Sequence, residues 1–223
     1  RGKGVAKDLA EAGRWYGQAA EAGHVGAMAS LGTMYEFGDG VAQNLVEALR
    51  LYRVAADAGD PHGLTSLGYL YAAGKGVARD QTMARRLYAG AAERGNSRAM
   101  YNLALLLMRG QGGVRDQGEA VRWLRVAAGK GHGAAMRELA FLYDEGRGVE
   151  KSPVEAARHL LASYKAGNRE ARLDVRVRAS VWSFATRREI QRQLTRQGLY
   201  TGFAHGLIDQ ATRSALDRFA SGD

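Results

Sequence analysis

A Gly-x-Gly step returns every 36 residues along this chain, as Gly2/Gly4, Gly38/Gly40, Gly74/Gly76, Gly110/Gly112 and Gly146/Gly148. A valine follows each pair at once or one residue later: Val5, Val41, Val77, Val114 and Val149. A fixed period of this length restricts the chain to stacked copies of one supersecondary unit, since a unit this short cannot bury a core alone. Such arrays act mainly by presenting a long surface to something else. Binding is therefore the default expectation, and catalysis needs separate support.

Other columns keep the same period. Ala12, Ala48, Ala84, Ala120 and Ala156 form one, and Gly23, Gly59, Gly95, Gly131 and Gly167 another. Leu31, Leu67, Leu103 and Leu139 form a third, with Gly32, Gly68, Ala104 and Ala140 beside them. In the fourth copy Gly113 is inserted after the glycine pair and one residue is lost before Ala120, so the register recovers.

Each unit reads as two short amphipathic helices. The first kind, such as Val25 to Phe37, sets Ala27, Met28, Leu31 and Tyr35 on one stripe at helical spacing. The second kind, Asn44 to Ala58, would bury Ala48, Leu51, Tyr52, Ala55 and Ala56. Small residues at Gly32 and its equivalents permit close helix approach, while Trp15, Trp123 and the tyrosines fill wider gaps. Glycines after each helix suit positive φ at a C-terminal cap. Leu67→Ala is expected to cost about 2–5 kcal/mol, as for other buried leucines; urea unfolding would measure it.

These residues resemble a known family. The run Ala27-Met28-Ala29-Ser30-Leu31-Gly32-Thr33-Met34-Tyr35-Glu36-Phe37-Gly38-Asp39-Gly40-Val41, with Glu47-Ala48, Tyr52, Ala55-Ala56 and Ala58-Gly59 after it, is similar to Sel1-like repeats, relatives of the tetratricopeptide repeat. The resemblance covers about residues 1–168. It implies an all-α fold, a right-handed α/α superhelical solenoid used as a protein-interaction scaffold. Some secreted members staple each repeat with a disulfide, which a chain without cysteine cannot do.

With 30 glycines and two prolines, the composition suits many short helices closed by glycine turns. No apolar run approaches the length of a membrane span. Arg1 begins inside the loop of a repeat, so the chain reads as part of a longer protein whose upstream region would hold a signal, a membrane anchor or more repeats.

The pattern decays after Gly167. From Lys165 to Arg196 nine Lys or Arg stand against three Asp or Glu. Residues 169–186 are expected to form a basic capping helix or connector. Its charge is either a solvated face or a surface for an acidic partner such as an anionic wall polymer. Nucleic acid is not expected, because no nucleic-acid-binding signature is present and aromatics are not interleaved with the basic positions.

Residues 187–223 carry a second resemblance. Glu189-Ile190-Gln191-Arg192-Gln193-Leu194, then Gly198-Leu199-Tyr200-Thr201-Gly202, His205-Gly206-Leu207-Ile208-Asp209 and Thr212-Arg213-Ser214-Ala215-Leu216-Asp217-Arg218-Phe219 are similar to the peptidoglycan-binding module of bacterial cell-wall proteins. His205 stands where that family has aspartate, Asp209 replaces a glycine, and the family's sequence after the Phe-Gln pair is missing. The resemblance implies glycan binding around Tyr200, Phe203, His205 and Arg213, and a periplasmic location. Sel1-like repeats joined to this module resemble the periplasmic end of polar-localisation scaffolds of the PodJ type.

Nothing points to an enzyme or to a bound cofactor or metal. The histidines (His24, His62, His132, His159, His205) show no metal-ligand spacing, and no nucleophile elbow or phosphate loop is present. By analogy with tetratricopeptide solenoids, the groove for a protein partner would be lined by Thr33, Glu36, Phe37, Thr65, Tyr69, Arg98, Tyr101, Arg109, Arg137, Phe141, Asp144 and Glu145. Tyr69, Arg98, Tyr101, Arg109, Arg137 and Phe141 are the preferred contacts, because aromatics and arginines dominate interface energetics. Two expectations stand side by side: an envelope scaffold holding a protein partner and touching peptidoglycan, or a soluble adaptor that binds no glycan.

Overall fold

The computed structural model describes residues 8–222, whose regular elements are all helices, with no strand among them. The first glycine pair, Gly2/Gly4, and Val5 lie outside the described residues. Two compact units form, one ending at Arg115 and one beginning at Asp116. The first holds α1 (Leu9–Glu21), α2 (Val25–Phe37), α3 (Leu45–Asp57), α4 (Pro61–Ala73), α5 (Gln81–Glu93) and α6 (Ser97–Arg109). The second holds α7 (Gln117–Gly129), α8 (Gly133–Glu145), α9 (Pro153–Lys165), α10 (Arg169–Arg176), a 3-10 turn at Ala179–Val181, α11 (Phe184–Arg196) and α12 (Gln210–Ser221).

Local chemistry explains why the helices begin and end together. Asp8, Asn44, Asp80, Asp116 and Ser152, spaced 36 apart, each accept the amide proton of the residue three positions on, at 2.8–3.2 Å. That satisfies one of the four amides left free at each helix start. His132 does the same through Nδ1 to Ala135 N–H at 3.2 Å, whereas His24, in the same slot, makes no side-chain cap. The four first-kind helices α2, α4, α6 and α8 stop at glycines in the left-handed region, Gly38, Gly74, Gly110 and Gly146.

Packing within each repeat turns on the small column. A Cβ on Gly32 would lie 2.8 Å from the Tyr52 ring, and one on Gly68 would lie 2.9 Å from the Tyr88 ring. Tyr52 and Tyr88 therefore pack into the small column itself, against Gly32 and Gly68, rather than into a wider gap. In the second unit the slot holds Ala140 and the facing column holds Leu160, both fully buried in one core. Glycine accompanies the large ring and alanine the smaller leucine, so the summed volume is conserved.

The core of the second unit runs without a break from α8 and α9 into the C-terminal helices. Ala140, Ala157, Leu160, Leu161, Tyr164, Ala171, Val175, Trp182, Ile190, Leu194, Tyr200, Ala215 and Leu216 form a single buried cluster. The boundaries expected at 168 and 186 are not packing boundaries, because these side chains come from both sides of each. α11 also begins at Phe184, inside the expected connector.

A candidate protein-binding surface

In the first unit, groove positions of α2 and α4 build a continuous network. Glu36 is buried; its carboxylate accepts from Lys75 Nζ at 3.0 Å and from the Tyr52 hydroxyl at 2.9 Å. The same hydroxyl lies 3.0 Å from Thr33 Oγ1, which lies 3.3 Å from His62 Nε2. Burial pushes the His62 pKa down and the charge of Arg98 lowers it further, while burial drives Tyr52 upward. His62 is therefore neutral at pH 7 and Tyr52 keeps its proton.

Two aromatic rings flank this network and stay open. The Lys75 ammonium lies 5.3 Å from the Phe37 ring centre and 6.0 Å from that of Tyr69. Phe37 is 60% exposed and Tyr69 46%. Arg98 and Arg109 are exposed and make no ion pair among the described residues, while Tyr101 is half-buried. Lys75 escaped the sequence reading because it sits between two turn glycines. The signal available was that the residue inside each glycine pair changes from repeat to repeat, as Asp39, Lys75, Gln111 and Arg147.

The second unit treats the same columns differently. Phe141, equivalent to Tyr69, stacks on Trp182 with ring centres 4.1 Å apart and planes tilted by 18°. Arg137, equivalent to Tyr101, lies over the Phe141 ring and donates through Nε to buried Asp174 at 2.6 Å. Asp144, equivalent to Glu36, is buried and accepts from the Ser183 amide at 2.9 Å, from the Ser183 hydroxyl, and from the Thr186 hydroxyl at 2.5 Å. Ser183 is the N-cap of α11, so the Asp144 carboxylate holds the start of that helix. Arg137, Phe141 and Asp144 thus contact the chain's own C-terminal segment rather than an open groove. Thr65 is likewise buried and donates to the Pro61 carbonyl at 2.6 Å, and Glu145 pairs with Arg147.

Asp144→Ala is expected to destabilise the second unit by roughly 3 kcal/mol, because it leaves buried donors of Ser183 and Thr186 without an acceptor. Urea unfolding followed by far-UV circular dichroism would measure it, with Glu145→Ala as the near-neutral comparison.

Of the residues expected to bind glycan, Tyr200 lies in the core. Tyr200 is 3% exposed, and its hydroxyl donates to the Phe203 carbonyl at 3.2 Å. Gln191, fully buried, explains the motif around it: its amide donates to the Leu207 carbonyl at 2.8 Å and to Thr212 Oγ1 at 3.0 Å, and accepts from Gly206 N–H at 2.7 Å. His205 Nδ1 accepts the Leu207 amide, which puts the ring proton on Nε2, where Asp209 Oδ2 accepts it at 3.2 Å. Phe203, 79% exposed, and Arg213 remain open to solvent.

Among the described residues no helix is long and apolar enough to cross a membrane, and no group of three or more His, Cys, Asp or Glu could hold a metal ion.

Comparison with known proteins agrees with this architecture. The Sel1 repeat matches five consecutive times, at residues 1–24, 25–60, 61–96, 97–132 and 133–168. A Sel1 repeat protein from Oxalobacter formigenes is 29% identical with a TM-score of 0.75, over 99% of this chain and 82% of that one. The uropathogenic Escherichia coli protective antigen c5321, which displays an SLR fold, is 26% identical with a TM-score of 0.67, over 99% of this chain and 50% of that one. The immunity protein Pa5087 from Pseudomonas aeruginosa, 21% identical with a TM-score of 0.60 over 97% of this chain and 76% of its own, shares the fold. Comparison with curated protein sequences gave no match. Five matched repeats in unbroken succession, with the shared solenoid fold, make this chain a member of the Sel1 repeat family.

Proposed function

We propose that the chain is a non-catalytic scaffold that binds a protein partner on the α2–α4–α6 face of its first unit. One observation carries this reading. The column that stacks internally at Phe141 is presented to solvent at Tyr69, beside exposed Phe37 and a lysine held in place by buried Glu36. Rigid aromatics next to fixed cations are the residue types that dominate interface energies. Sel1 repeats generally mediate protein–protein interaction, which fits this use of the surface. The test is capture of a partner from the source organism by the intact chain and by a Phe37→Ala/Tyr69→Ala/Arg98→Ala variant. All three side chains are exposed, so the fold should persist, as circular dichroism would verify. Loss of the captured protein supports the reading, and undiminished capture overturns it.

A second reading rests on the open Phe203 and Arg213: the C-terminal helices touch peptidoglycan, which places the protein in the periplasm as part of an envelope scaffold of the polar-localisation type. Because α10–α12 share a core with α8 and α9, truncation would test folding rather than binding. Retention on insoluble peptidoglycan across a salt series, with a Phe203→Ala/Arg213→Gln variant, is the suitable measurement, since a chain of net charge +9 adheres to anionic polymer without specificity. Salt-resistant retention lost in the variant supports an envelope role. Retention abolished by salt, or unchanged in the variant, leaves a soluble adaptor.

A further inference from the structure

We propose that the notch between α7 and α9, floored by α8, is an oxyanion site that takes a carboxylate or phosphate group between Arg125 and Arg158. The notch has a volume of about 330 Å³ and is lined by Arg125, Ala128, Gly129, Met136, Tyr143, Arg158, His159 and Ala162.

The repeat supplies its own comparison. Moved back by three repeats, the same positions line a larger notch of about 690 Å³ between α1 and α3: Gly17, Ala20, Glu21, Met28, Tyr35, Arg50, Leu51 and Val54. In that earlier notch the charges balance, since Arg14 and Arg50 face Glu21 and Glu47. In the later one, Gly17 has become Arg125, Glu21 has become Gly129 and Leu51 has become His159. Arg14 has no counterpart in the later lining and Arg125 stands as the second guanidinium, so the loss of one carboxylate moves the notch one charge toward positive. Glu155 is the carboxylate that both Arg158 and Arg125 act on. A charge-balanced notch has been turned into a cationic one.

The donors left over suit an oxyanion. Arg158 uses Nε and one terminal nitrogen on Glu155 Oε2, at 3.0 and 2.5 Å, which leaves its other nitrogen available. Arg125 donates from Nη2 to the Tyr143 oxygen at 2.9 Å, so the Tyr143 hydroxyl proton is free to point into the notch. The His159 ring stacks on Tyr143 with centres 5.6 Å apart and planes 8° from parallel. Burial first, then Arg158, pushes the His159 pKa down to about 4 against the opposing pull of Glu155, with Arg125 lowering it further. The ring is therefore neutral at pH 7 and adds a polar wall without a third cation. Two guanidiniums against one carboxylate in a half-enclosed pocket are relieved by an incoming anion, and planar forks match the geometry of carboxylate and phosphate.

The test uses the intact chain and follows the His159 ring resonance by NMR at pH 7. Inorganic phosphate and acetate are added in separate titrations, with chloride holding ionic strength constant. A saturable shift with either anion is expected, and the tighter of the two identifies whether a phosphate or a carboxylate is the natural group. Arg125→Gln should weaken it about tenfold, the usual effect of losing one charged hydrogen bond. Gly129→Glu restores the charge pattern of the earlier notch and should abolish it. An added Cβ at Gly129 meets nothing within 4 Å, so that variant folds normally. Unchanged resonances of the other four histidines would check the fold. A shift that chloride reproduces, or that persists in both variants, overturns the proposal.

Discussion

Trp182→Ala is expected to destabilise the second unit by about 3–5 kcal/mol, the usual cost of truncating a large buried aromatic. The indole is 2% exposed and stacks on Phe141 in the middle of the cluster that joins α8 and α9 to the C-terminal helices. Removing it opens a cavity that the short turn Ala179–Val181 cannot close, because the Asp144 carboxylate fixes Ser183 on its other side. Chemical denaturation should show an earlier transition for the second unit, with that of the first unit unmoved. Trp182→Phe is the informative partner variant. The indole N–H has no hydrogen-bond partner among the described residues, so phenylalanine sacrifices volume alone, keeps a ring against Phe141, and should cost less than Trp182→Ala, about 1–3 kcal/mol. Equal losses in the two variants would mean that the ring kept by phenylalanine does not fill the site and overturn the packing account.

Gly112→Ala is expected to cost roughly 2–4 kcal/mol, combining a backbone clash with an unfavourable left-handed conformation. The residue has φ +72°, and an added Cβ would sit 2.1 Å from the Gln81 carbonyl oxygen at the start of α5. Only movement of backbone could relieve that contact. Gly76 occupies the same column with nearly the same φ, +73°, yet its nearest neighbour would be the Leu45 Cβ at 3.5 Å. Gly76→Ala should therefore cost only the conformational part, about 1–2 kcal/mol. Thermal or urea unfolding of the two variants side by side would separate clash from conformation, and equal losses would show that the close approach at Gly112 relaxes without cost.

Much of the candidate surface could be read in the residues. Tyr69, Arg98 and Arg109 are exposed on the first unit as the helical stripe implied. Arg137 and Phe141 were read by the same logic and end up against Asp174 and Trp182. No feature of α8 distinguishes the two outcomes. Tyr200, a glycan contact on the resemblance to the wall-binding module, is a core residue, because buried Gln191 binds the loop at Leu207 and Gly206 and holds it inward.

The sequence by itself determined the unit: its period, the bounds of α2 and α3, the glycines that end first-kind helices, and the column of small residues where the paired helices approach. These depend on interactions within one turn of helix or between adjacent helices, where side-chain size and capping chemistry act over a few residues. Tertiary structure alone decided which copies of an identical column face solvent. That choice is made by partners such as Trp182 and Ser183, about forty residues beyond the columns they cover, and long-range burial leaves no mark in the local pattern.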